Sequence, residues 1–415
     1  MEPKKPHVVL IAYYYPPSTS IGGMRPYRFS KYLKRLGYTC DVITASEQKA
    51  PAPDVILVPD PVGAVLEGRS KDRPTSMGWH VERFIRRFVI PGCMGVSWSM
   101  DAARKCQEIL TRHPHRKVVV LTTFPPVGTV LAGLLIHSRE KVPWIADFRD
   151  PMSSGIIART LHSRALYWLR QMEDRAIRRA SAVIANVSGV GELWRSTHPK
   201  EAGKIHVIWN GYDTEDRPQA REIPVREKRE IVHAGSIYWG RSPLPILQSF
   251  ARLRERGEPT VADAKISLIG PIVNKYEMDP PLCERAAREG WLNMTDGSVP
   301  KAEALRATEE ADGLLLLQPD SDLQIPAKLF EYIGIGRPVL ALVPPNSAVE
   351  YVLKGAEIPN VCIYNNDPPD AVDDKLIRYL ELPNQPVGFS AWFETNFEAG
   401  RQARQLAEII EEVGK

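Results

Sequence analysis

Long apolar runs are scarce in this chain of 415 residues. No stretch reaches the ~18 uninterrupted apolar residues that a bilayer-crossing helix needs. The longest candidate, Val118 to Ile136, is broken by Pro125-Pro126. Cysteine is sparse too: Cys40, Cys93, Cys106, Cys283 and Cys362 are odd in number and lack paired spacing. That argues against a disulfide scaffold and against a CxxC metal site, and it fits a reducing cytosol. Near the N-terminus the apolar run Val8 to Ala12 is too short for a signal peptide. The first strand–helix turn lacks the GxGxxG spacing of a dinucleotide site, which disfavours an oxidoreductase of that kind. Aromatics interleaved with basic residues in a recognised nucleic-acid module are missing as well, so nucleic acid is not an expected partner.

What is present is the composition of a soluble globular protein, 43% apolar and 25% charged. The length exceeds one comfortable core and suggests two domains of about 200 residues each. The net charge of +4 conceals a division: residues 1–209 hold 31 Lys and Arg against 17 Asp and Glu, and the remainder holds 23 against 33. A basic first half suggests something anionic to meet it: an acidic membrane surface, a phosphorylated acceptor or nucleic acid would each serve on charge alone.

The chain is organised around residues 319–343. A four-leucine run, Leu314 to Leu317, reads as a buried strand. A loop with two aspartates follows, then Pro326 where a helix would place its first residue. Lys328 and Glu331 sit three apart and share a face of that helix near its positive end. Gly334 and Gly336 stop it, and Val339 to Val343 is a second buried strand. The helix start in such a βαβ unit is a seat for phosphate. The pattern recurs elsewhere. Val8 to Ala12 is a strand, Tyr13 to Gly23 a loop and Met24 to Leu36 a helix; further strands are read at Val118 to Thr122, Ala182 to Asn186, Glu230 to Ala234 and Lys265 to Ile269. Residues 50–75 read as irregular. The fold class is therefore α/β, two doubly wound Rossmann-like domains with a cleft between them. The expected domains are 1–212 and 230–390, joined by a linker at 213–229, with 391–415 as a C-terminal packing helix.

Two stretches carry charge in telling places. Asp147-Phe-Arg149-Asp150 follows a strand end, where open α/β sheets place ligands. Residues 79–91 alternate an apolar stripe with arginines; Trp79, Arg83, Phe84, Arg86, Arg87 and Phe88 are candidates to face an anionic membrane.

Six landmarks, in this order, resemble glycosyltransferase family 4. They are Tyr15-Pro-Pro with Gly22-Gly23-Met-Arg25, Asp147-Phe-Arg-Asp150, Trp209-Asn-Gly-Tyr-Asp213, His233-Ala-Gly-Ser236, Leu268-Ile-Gly-Pro271, and Pro326-Ala-Lys-Leu-Phe-Glu-Tyr332 with Gly336-Arg-Pro338. The resemblance spans nearly the whole chain and implies the GT-B fold. It also implies a hexosyltransferase-type activity, moving sugar from a nucleotide-sugar to a glycan, lipid-linked or small-molecule acceptor. Retention of configuration, no metal and no cofactor beyond the nucleotide-sugar co-substrate go with it, as does work on cell-surface polysaccharide or glycoconjugate from the cytoplasm, peripherally on the inner face of the membrane. The first domain would take the acceptor and the second the donor. Glu331 matches the second glutamate of the Glu-x7-Glu motif and would hold ribose; Arg241 and Lys328 would contact the diphosphate. Gly235 and Ser236 would line the donor loop, Gly270, Pro271 and Val299 would border the base, and Gly22 and Gly23 would approach the donor phosphates. Asp150 and Arg149 would orient the acceptor. The position of the first glutamate holds Leu323, with Asp322 beside it. A nucleotide-sugar 2-epimerase of the same fold and a donor-binding partner without turnover are the alternatives. The Asp320-Ser-Asp322 match to the metal-binding DxD of the other glycosyltransferase fold stands alone.

Overall fold

The computed structural model describes the chain apart from residues 1–4, 19, 46–51, 67–76, 78–79, 81–83, 85–93, 155–162, 224–227, 239, 274–277 and 296. It divides into two compact units, Met1–Asp213 with Asn396–Lys415, and Thr214–Thr395.

The first unit is a seven-stranded parallel sheet. Its strands are β1 His7–Ala12, β2 Thr39–Thr44, β3 Val55–Leu57, β4 Val118–Phe124, β5 Trp144–Phe148, β6 Ala182–Ala185 and β7 Ile205–Val207. Their order is β3-β2-β1-β4-β5-β6-β7. β1, β4, β5 and β6 are buried along their whole length, which is why they read as continuous apolar runs rather than alternating ones. Residues 50–75 are not irregular throughout, as their proline content suggests: β3 pairs with β2 there, and a helix covers Pro61–Leu66. The helix Met24–Arg35 and the C-terminal helix Ala399–Val413 close one side of the core. There Phe29 and Leu33 meet Leu406, Ile409 and Ile410 over Val8 and Leu10. Glu398 starts the C-terminal helix by accepting from the N–H groups of Gly400 and Arg401.

The second unit repeats the plan with six parallel strands: β8 Arg229–Ala234, β9 Ala264–Ile269, β10 Leu292–Thr295, β11 Gly313–Leu317, β12 Val339–Val343 and β13 Asn360–Tyr364. Their order is β10-β9-β8-β11-β12-β13. Ile231, Ile266, Leu315 and Leu340 lie in one apolar cluster, joined by Phe250 stacked on Trp291 at 5.7 Å between ring centroids. In each sheet the order reverses beside the first strand, at β1/β4 and at β8/β11. The loops leaving the carboxyl ends of these strands are where ligands settle in open α/β sheets. Among the described residues no helix is long and apolar enough to cross a membrane.

Candidate functional site

In the second unit the reversal point gathers the residues singled out by the sequence. β8 runs out at Ala234 into Gly235, which holds φ +145°. A Cβ there would lie 2.0 Å from Lys328 Nζ, so only glycine lets the lysine cross the strand end. Lys328 donates to the Ala234 carbonyl at 2.8 Å. It stands in the first turn of the helix Ala327–Ile335, which Pro326 caps from an extended conformation rather than joining as its first residue. Gly270 lies against Gly235, for a Cβ on Gly270 would come within 2.9 Å of the Gly235 carbonyl. The two strand-end turns thus pack backbone on backbone.

Arg241 reaches the same point from the loop after β8. Its Nη2 donates to Gln318 Oε1 at 2.6 Å, and its guanidinium stands 4.5 Å from the centre of the Tyr238 ring. Lys328 and Arg241 are both half-buried. Burial, followed by the charge of Arg241, pushes the Lys328 pKa down to about 8, against the pull of Glu331. Burial likewise lowers Arg241 from its ordinary value, with Tyr238 and Asp320 opposing. Beneath them lies His233, 1% exposed, donating Nδ1–H to the Leu315 carbonyl at 2.9 Å. Burial first, and then the Lys328 charge, keep this imidazole neutral. Three polar atoms here have no hydrogen-bond partner among the described residues: His233 Nε2, Arg241 Nε and Gln318 Nε2. Two cations that disfavour each other, ringed by unsatisfied polar atoms, make a seat whose chemistry calls for an anion.

Glu331 is half-buried one turn along from Lys328, close enough to raise its pKa. Ser236 is exposed, Pro271 and Val299 are half-buried, and Leu323, where the first glutamate would stand, is half-buried beside an exposed Asp322. A cavity of about 400 Å³ opens beside the arginine loop, lined by Gly240, Ser242, Leu244, Pro319 and Asn365 among others; nothing in the residue pattern announces it. Gln318 and His233 were not assigned roles either. Gln318 had a signal, as the first polar residue after four leucines.

The first unit's reversal point is built differently. Arg149 is expected to meet an acceptor, but it is 8% exposed and its guanidinium donates to the carbonyls of Phe124, Pro125 and Gly22. It ties the glycine loop to the end of β4. Gly22 has an internal reason to lack a side chain, since a Cβ would stand 2.6 Å from Arg149 Nη1; on Gly23 it would stand 3.3 Å from the Tyr15 backbone. Asp147 is buried, paired with Arg25 at 2.7 Å and accepting from Thr123 Oγ1 at 2.9 Å. Arg25 also donates to the carbonyls of Ile208 and Trp209. Asp213 takes Lys31 Nζ at 2.7 Å and Tyr32 Oη at 2.8 Å. Asp150 stays half-buried in the loop beyond β5. That loop is pinned by Glu173, a residue without a sequence signal, which accepts from the N–H groups of Met152 and Ser153 and from Trp194 Nε1. Of the membrane-facing candidates, Trp79, Arg83, Arg86, Arg87 and Phe88 lie outside the described residues, and Phe84 is 58% exposed.

Residues 23–216 match the profile of Glycosyltransferase Family 4. The first unit therefore carries a glycosyltransferase family 4 domain. The fold of the chain is GT-B, and solved structures align over almost its entire length. WaaG, a glycosyltransferase involved in lipopolysaccharide biosynthesis, is 15% identical with a TM-score of 0.55, covering 98% of each chain. HepE of Anabaena in complex with UDP and glucose is 11% identical with a TM-score of 0.57, covering 98% of this chain and 100% of HepE. The catalytic domain of starch synthase IV from Arabidopsis thaliana, bound to ADP and acarbose, is 10% identical with a TM-score of 0.59, covering 99% of each. Among curated proteins none matches by sequence.

Proposed function

We propose that the second unit holds a nucleoside-diphosphate sugar and that the sugar passes, with retained configuration, to a glycan, lipid-linked or small-molecule acceptor bound by the first unit. The observation that carries this reading is Lys328, crossing Gly235 at the β8/β11 reversal, with Arg241 near enough to depress its pKa, beside polar atoms that have no partner among the described residues. A diphosphate supplies the missing counter-charge and accepts from both cations. As the sugar–phosphate bond lengthens, negative charge grows on the leaving oxygens. Two fixed cations and the start of the helix Ala327–Ile335 stabilise that charge more than the ground state. Glu331, one turn further, takes the ribose hydroxyls, and Gly270, Pro271 and Val299 border the base. Neither a metal nor a cofactor is required by this scheme. Asp150, in its braced loop, orients the acceptor, with Arg149 as a positioning residue.

The relatives of known structure support a nucleotide-sugar donor, since UDP with glucose is bound in HepE and ADP in starch synthase IV. Glycoconjugate assembly at the inner face of a membrane is the setting we propose. On the basic helix Ser163–Arg179, Tyr167 and Trp168 are 58% and 44% exposed among Arg164, Arg170 and Arg175, a composition suited to anionic headgroups.

The test is calorimetry with UDP-, GDP-, dTDP- and ADP-sugars, followed by anomer analysis of any transfer product. One donor class is expected to bind, and Lys328→Ala to weaken that binding by about 10–100-fold; silence with all four overturns the reading. Leu323 favours a second reading, a donor-binding partner without turnover, because the contact expected of a glutamate to the transferred sugar is missing there. Donor hydrolysis or transfer above background discards it. Sugar epimerised without any acceptor would mark the 2-epimerase.

A further inference from the structure

The transfer makes no use of the opposite edge of the first sheet, where the strands begin. There His7 opens β1, Asp41 lies in β2, and His113 stands just past the helix Val96–Arg112. One ligand atom from each lies within 4.8 Å of the others. Strand register builds the cluster. His7 pairs with Thr39 and Val9 with Asp41, so Thr39 and Asp41, two apart, present side chains to one face and flank the imidazole. Thr39 Oγ1 stands 2.7 Å from His7 Nδ1, and Asp41 Oδ2 stands 3.2 Å from His7 Nε2. The His113 ring lies against His7, centroids 4.4 Å apart and planes inclined by 35°. A turn in which the Arg116 N–H donates to the His113 carbonyl at 3.1 Å fixes its backbone.

Two imidazoles and a carboxylate from three separate segments are the donor set of a borderline divalent cation. We infer that His7, Asp41 and His113 bind a divalent transition-metal ion of the zinc class, clipping the end of the helix Val96–Arg112 to the starts of β1 and β2. The hydrogen bonding already present suits this. Without metal, His7 Nε2–H donates to Asp41 and the Thr39 hydroxyl donates to Nδ1. With metal on Nε2, the ring proton moves to Nδ1, the Thr39 hydroxyl turns to accept it, and Asp41 joins the ion. Thr39 then orients the ligating ring from the outer shell. Burial holds His7 below the usual histidine range, helped by His113 and Arg116 and opposed by Asp41, so the ring is neutral and available as a ligand near neutral pH. Arg116 is the cation that works against a bound ion; its Nη2 donates to the Lys5 carbonyl at 3.0 Å. Three protein ligands leave one position of a tetrahedral site for water. The site is remote from the strand ends that hold ligands, so its metal acts on the stability of the first unit rather than on sugar transfer.

The full chain, stripped with chelator, is titrated with ZnCl₂ at about pH 7.5, and Co²⁺ absorption is read in parallel. One equivalent is expected to bind, with the visible Co²⁺ bands of a four-coordinate nitrogen–oxygen site. His113→Ala and Asp41→Asn should each weaken binding by about tenfold or more, with far-UV dichroism and nucleotide affinity unchanged. Cys362→Ser should leave metal binding as it was. Absence of saturable binding, affinity in both ligand variants equal to that of the unmodified protein, or loss of binding in Cys362→Ser overturns the assignment. His113 and Asp41 are both partly exposed, and dichroism on each variant separates loss of a ligand from loss of fold.

Discussion

In the first unit Arg25 and Arg149 disappear into the structure, bonding an aspartate and a set of backbone carbonyls until little of either is left for a ligand. In the second unit Lys328 and Arg241 occupy the equivalent place in the sheet order, yet Arg241 depresses the Lys328 pKa, and polar atoms beside them have no partner among the described residues. The sheets are alike and the residue types are alike. The difference lies in what the charges face. A cation that meets internal acceptors belongs to the fold, whereas one kept partly desolvated beside a second cation is, on the function proposed above, set for a ligand's charge.

The largest expected effect is on the first side of that comparison. Arg25→Ala strands the Asp147 carboxylate in the core and should cost about 3–5 kcal/mol of stability in urea unfolding; a loss below about 1 kcal/mol would place Arg25 with the ligand-directed cations. On the other side, Lys328→Ala and Arg241→Ala each remove a charge-assisted contact worth about 1.5–3 kcal/mol. That is roughly a 10–100-fold loss of nucleotide affinity by calorimetry, with no loss of melting temperature. Gly235→Ala forces a side chain into positive φ and onto the Lys328 ammonium. It should lower stability by about 1–3 kcal/mol and weaken nucleotide binding together.

A smaller effect follows from the depressed pKa. The lysine holds its proton to about pH 8 in the fold and to about 10.4 when unfolded. Between those values the unfolded chain binds more protons, so the stability of the free protein should rise with pH across that window. The rise should vanish in Lys328→Met, while nucleotide affinity in the unmodified protein falls over the same interval as the ammonium is lost. Glu331→Ala should be the mildest, about tenfold or less in donor affinity, since ribose hydroxyls are neutral partners.

Much of the second unit could be read from residues alone because its signals are local. A four-leucine strand, a proline before a helix and a lysine and glutamate three apart place Lys328 and Glu331 without any distant contact. The first unit resisted because its decisive contacts are distant. Nothing near Arg25 in sequence reveals that Asp147 and the carbonyls after β7 await it. Nor does anything near Gly22 reveal that an arginine 127 residues away fills its missing side chain. Charged residues at strand ends look the same in a sequence whether they brace a loop or greet a ligand. The helix Val96–Arg112 and the short β3 went unread for another reason: one lacks a strong start signal and the other is three residues long.

The first unit is written in two pieces, its closing helix coming from Asn396–Lys415 after the whole second unit has been made. On the ribosome, therefore, the later half can complete its core while the earlier one still waits for Leu406, Ile409 and Ile410 to cover Phe29 and Leu33. Until the helix Ala399–Val413 emerges, that apolar side of the nascent sheet stays open, and a stop before it would leave an intact second unit attached to an unfinished first.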